Sequence, residues 1–101
     1  MPATDTTDVP RIVAHTREVY LRQNEARIRS DAARLAKSDP SIKRHLDAVE
    51  MAEDLGDYHE TVINHFRDKK LNHRIPPHER YRDQTFQLKL HHLDQLANLI
   101  L

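Results

Sequence analysis

The chain reads as an all-α protein, and three observations predict it. Helix breakers are scarce, with one glycine and five prolines in 101 residues. Apolar residues recur at three- and four-residue spacing, the period of a helix face. Charged residues make up 32% and hydrophobic residues 38%, whereas a compact domain carries about 25% and about 45–50%. High charge with little bulk suits long, half-exposed helices. The predicted architecture is a four-helix bundle or a pair of αα-hairpins, with long first and last helices, completed by oligomerisation.

Residues 1–8 are expected to form a disordered tail and 9–101 a single helical domain. Asp8 is placed to cap the first helix, and Pro10 is tolerated because first-turn N–H groups have no partner anyway. Nothing interrupts helix from Val9 to about Lys37. "SDPS" ends it, and Asp39 with Pro40 starts a second helix over 40–55, with Ile42, Leu46 and Val49 on one face. Gly56 follows and is expected to stop that helix, since glycine enters the left-handed region at little cost. Asp57 with Glu60 then resembles a capping box, opening a third helix over 57–72. "IPP" blocks further helix and pushes Ile75 to an extended backbone. A last helix is expected over 77–101.

The stretch "LGDY" ahead of a helix resembles the inter-helix turn of a tetratricopeptide repeat. Gly56, Asp57 and Tyr58 match that turn, and Val62 fits a packing position. Thr61 and Asp68 stand where the pattern has small residues, and no second copy follows at a ~34-residue period. The resemblance extends to about a dozen residues and implies a tight αα-turn at Gly56.

On the last helix, Phe86, Leu90, Leu93, Leu96, Ala97 and Ile100 form one stripe, and Tyr81, Leu88 and Leu99 fall on another side. A helix apolar on two sides needs two neighbours. On the first helix, Val9, Ile12, Val13, Thr16 and Tyr20 cluster near the start, while Leu21, Ile28 and Leu35 recur every heptad on a rotated face. Asn24 and Asp31 interrupt that seam, so a long autonomous coiled coil is not expected. The residues expected to meet a protein partner or a second copy are Leu21, Ile28, Leu35, Tyr81, Leu88 and Leu99.

Formal charge sums to zero, so no global field draws the protein to nucleic acid or membrane. The blocks alternate, however: 9–38 is net basic, 39–60 net acidic and 61–82 net basic. The last block places Arg67, Lys69, Lys70, Arg74, Arg80 and Arg82 around a turn, with Tyr81 available to stack on a base. That set is the candidate nucleic-acid surface.

Eight histidines are the least usual feature. Imidazole ligates transition metals and titrates near neutral pH. His59, His65, His91 and His92 are the candidate metal ligands, although no Glu-x-x-His motif of the bundle metal sites is present. No cofactor is implied. There is no cysteine, no glycine-rich phosphate loop and no serine in a nucleophile motif, so nothing nominates an enzyme.

No apolar run reaches the ~18 residues of a membrane span, and the polar start is not a signal peptide. The sequence therefore points first to a cytoplasmic, non-enzymatic helical interaction module that self-associates. A nucleic-acid-binding regulator using the turn 67–82 comes second, and a helical His/carboxylate metal protein third.

Overall fold

The computed structural model describes the backbone of residues 8–100 and the side chains of residues 11–100. The expected tail and the proposed Asp8 cap lie outside the described side chains. Among the described residues there are three α-helices and no strand: α1 (Asp8–Leu35), α2 (Pro40–Asp68) and α3 (Ile75–Ile100), with a short 3-10 turn at Asn72–Arg74 before α3. The chain is all-α. The molecule is flat, 53 × 46 × 18 Å, because α2 and α3 form one antiparallel hairpin and α1 lies across part of it.

Local chemistry starts α2 as expected. The Asp39 carboxylate accepts from the backbone N–H groups of Ser41 (3.0 Å) and Ile42 (3.3 Å), and Pro40 occupies the first turn. Two orphan donors of the helix start are thereby satisfied.

The expectation of a break at Gly56 is wrong. α2 runs through it without interruption, so the expected helices 40–55 and 57–72 are one element, the tetratricopeptide-like turn does not exist, and the helix count is three. The physical reason is packing. A Cβ built on Gly56 would lie 3.2 Å from the Thr85 hydroxyl oxygen on α3. Glycine is there to let two helices approach, at a cost of about 1 kcal/mol in helix propensity. The hairpin turn falls later, at Lys69–Leu71, where Lys70 takes a left-handed φ of 59°.

Ile75 also departs from expectation. It is helical (φ −73°, ψ −45°) and begins α3, two residues earlier than predicted. Its side chain is buried, as is Ile63 of α2, and this burial outweighs the pre-proline preference for extended backbone. Pro76 and Pro77 then sit in the first turn, where no N–H is required.

The core occupies the end of the hairpin that α1 covers. It joins Leu21, Ile28 and Ala32 of α1 to Ile42, Leu46 and Val49 of α2 and to Leu90, Leu93, Leu96 and Ala97 of α3. Leu35, Phe86 and Ile100 pack against it. The predicted stripe on α3 is therefore the core stripe. Leu21 and Ile28, expected to meet a partner, are buried inside this chain, with Leu35 beside them. That expectation is corrected: the heptad stripe of α1 docks on α2 and α3 of its own chain.

Candidate functional site

The α2–α3 seam is a heptad seam. On α2 it carries Ile42, His45, Val49, Ala52, Gly56, His59, Ile63 and Phe66; on α3 it carries Ile75, His78, Arg82, Thr85, Lys89, His92 and Leu96. Each list alternates steps of three and four, as packed helices require. Towards the two ends Ile42, Ile63, Ile75 and Leu96 are buried and Phe66 is half-buried. The middle is polar or small.

Two histidine pairs bridge this seam. His45 Nδ1 and His92 Nδ1 lie 2.9 Å apart, and His59 Nδ1 and His78 Nδ1 lie 3.1 Å apart. Their ring centroids are 5.2 and 5.4 Å apart. In both pairs the centroid separation exceeds the N···N distance by the same increment, one ring radius at either end. Each nitrogen therefore points straight at the other, the geometry of an N–H···N hydrogen bond between a donor and an acceptor tautomer. Rings ligating one tetrahedral cation would meet at an angle instead.

Of the four candidate metal ligands, His59 and His92 belong to these pairs. His91 stacks edge-on beside His92 at 5.1 Å, and His65 is exposed near the tip. Among the described residues no group of three or more His, Cys, Asp or Glu converges as a metal site. Burial pushes the His92 imidazole below its usual pKa, and the neighbouring His45 and His91 add to that.

A charge network marks the edge of the seam that faces α1. Glu53 of α2 accepts from Arg29 of α1 (2.7 Å) and from Lys89 of α3 (2.9 Å), and Glu25 of α1 contacts both cations. The hydrogen bonds from Arg29 and then Lys89 hold the Glu53 carboxyl below its ordinary range. Farther along, Arg82 pairs with Glu60 at 2.8 Å. Arg17 clasps Asp94, and Arg22 lies over the Phe86 ring, so α1 is pinned to α3 along the same side.

Among the described residues nothing covers the opposite face of the hairpin, which carries large apolar side chains. Met51, Leu55 and Tyr58 of α2 and Tyr81, Leu88 and Leu99 of α3 are between 41% and 60% exposed. At 100° per residue the α2 set points away from Glu53, and the α3 set points away from Phe86, Leu90 and Leu93. Both sets thus border the side of the seam that α1 leaves open. Tyr81 lies over it, 5.4 Å from the His59 ring and 6.2 Å from the His78 ring.

The predicted residues Tyr81, Leu88 and Leu99 are exposed together here. The α2 contribution was missed because the supposed break at Gly56 divided Met51 and Leu55 from Tyr58. The uninterrupted spacing 51, 55, 58, 62 was the available signal.

The predicted basic set divides. Arg67, Lys69, Lys70 and Arg74 are exposed around the hairpin turn, and Arg80 is exposed on α3. Arg82 is engaged by Glu60 and Tyr81 lies against histidines, so neither belongs to that tip. Among the described helices, none is long and apolar enough to cross a membrane. Comparison with family models, with characterised proteins and with solved structures finds no match for this chain.

Proposed function

We propose that this protein is a small, non-enzymatic, cytoplasmic interaction module that self-associates through the outer face of its α2–α3 hairpin. The observation that carries the reading is the pair of exposed apolar stripes, Met51, Leu55 and Tyr58 beside Tyr81 and Leu88, on one face of two long antiparallel helices. Large apolar side chains grouped on one face mark an interaction surface more than scattered ones do. The three- and four-residue steps match the period of a partner helix. Two such hairpins packed face to face make a four-helix bundle, which supplies the second neighbour that α3 requires.

The experiment is light scattering on wild-type protein and on a Leu55→Glu, Leu88→Glu variant. Wild type is expected at a multiple of 11.9 kDa, and the variant as a monomer of unchanged helicity. A wild-type monomer at high micromolar concentration sinks the reading. A variant that still associates moves the interface elsewhere.

A second reading rests on the hairpin tip. Arg67, Lys69, Lys70 and Arg74 have no carboxylate within ion-pair reach among the described residues, and a cluster of free cations suits phosphates. Binding of single-stranded nucleic acid that weakens steeply with salt, with a smaller slope after Arg67→Gln and Arg74→Gln, supports it. The absence of salt-dependent binding removes it.

A further inference from the structure

Four of the eight histidines make two contacts of the same kind, at the same seam position, an equal number of residues apart on α2 and on α3. The two layers are roughly 21 Å apart. Between them, at the heptad position the histidines share, lie Ala52 and Thr85, while Val49, Gly56, Arg82 and Lys89 fill the alternate seam positions, so no large apolar pair stands beside the histidines on this edge. The histidine contacts join the two helices there.

We propose that the two pairs are proton-gated latches. With a free lone pair in each pair they hold the hairpin closed beneath its outer face; when both rings of a pair are protonated the seam opens and association through that face is lost. The association half rests on the self-association proposed above.

The chemistry follows from proton counting. A neutral pair holds one N–H and one lone pair between its rings. A first added proton can be taken at a distal ring nitrogen, leaving the bond intact. A second puts a donor on both facing nitrogens, and two N–H groups with two positive charges cannot stay 2.9–3.1 Å apart.

The surroundings give that second charge no relief. Tyr58 and Tyr81 border His59, Phe66 and Tyr81 border His78, and His91 stands beside His92. The charged groups facing the seam from its other edge are Glu25 and Arg29 of α1, Glu53 and Glu60 of α2, and Lys89 and Arg82 of α3. They are paired with one another. Among the described residues no carboxylate comes within 4.0 Å of any of the four imidazoles.

The test compares wild type with a His45→Gln, His59→Gln, His78→Gln, His92→Gln variant, whose amides pair neutrally at any pH. Sedimentation equilibrium at pH 7.5 and 5.5 should show wild-type association weakening by at least about tenfold, with no change for the variant. Equal weakening in both, or none in wild type, overturns the gate. If the fourfold variant does not fold, His59→Gln with His78→Gln alone should lose about half of the pH response on a logarithmic scale; an undiminished response overturns the proposal.

Ring-nitrogen NMR on the Leu55→Glu, Leu88→Glu protein separates the latch from the assembly. Coupled titration of the paired rings supports the latch. Four independent histidines with ordinary behaviour overturn it. Wild-type protein that is monomeric at pH 7.5 refutes the self-association itself and the gating of it, while the spectra still decide whether the latch exists.

Discussion

Gly56 and Thr85 face each other across the hairpin seam, close enough that a methyl group on Gly56 would stand 3.2 Å from the threonine hydroxyl. That hydroxyl donates to the Arg82 carbonyl at 2.7 Å, so it is not free to turn aside. Gly56→Ala therefore gains helix propensity and loses contact geometry together. In a Thr85→Ala background only the gain remains, up to about 1 kcal/mol. A double-mutant cycle by urea denaturation should show that Gly56→Ala is more favourable in the Thr85→Ala chain than in wild type. Equal effects in the two backgrounds would assign the glycine to something other than close approach.

Among the described residues, the Asp39 carboxylate is the side chain that caps the start of α2. Asp39→Ala should cost about 1 kcal/mol, and Asp39→Asn much less, because asparagine keeps the acceptor. Chemical denaturation measures both. Equal losses would mean that the carboxylate charge matters rather than the cap.

Acid should destabilise the protein in two separate windows. The folded-state pKa of His92 is depressed, so the unfolded chain takes up a proton first. Its contribution is complete above ~6.5 and is lost as pH falls from there past the lower folded-state value. Glu53 is depressed as well, but as an acid: its contribution is present above ~4.3 and is lost as pH falls through its folded-state value. His92→Gln should shrink the upper window and Glu53→Gln the lower one, each leaving the other in place. Thermal midpoints from pH 7.5 to 3 read this directly, and a single window abolished by either substitution contradicts it.

Lys70 holds a left-handed backbone for which glycine has no steric penalty. Lys70→Gly should stabilise the hairpin by about 1 kcal/mol, and Lys70→Val should destabilise it by at least as much. If Lys70→Gly is less stable than wild type, the turn does not take this shape in solution.

Local chemistry was legible and mutual geometry was not. The Asp39–Pro40 start and the Phe86–Ile100 stripe follow from neighbours in sequence. Gly56 misled because the same residue ends one helix and admits a neighbour to another. A longer window would have separated the cases. The steps of three and four from Ile42 to Phe66 pass through Gly56 without resetting, which a true break would not allow.

The histidine pairs were invisible one residue at a time, yet His45 and His59 are spaced as His78 and His92 are. Of the network of Glu25, Arg29, Glu53 and Lys89 only the i, i+4 pair Glu25–Arg29 left a trace, because Glu53 meets Lys89 and Arg29 only when three helices pack together. The exposed face was half legible, since α3 showed its second stripe and α2 did not.

One consequence concerns cooperativity. The chain places its only glycine inside a helix and a lysine in the left-handed turn, so at both positions local preference opposes the final backbone. At those two points neither the α2 helix nor its turn is favoured by its own segment. An excised peptide spanning 40–68 should be largely coil around Gly56, and helix there should appear only when α3 is present to pack against it. The hairpin is therefore expected to form as one event, which suits an element whose two helix faces are of use only when held side by side.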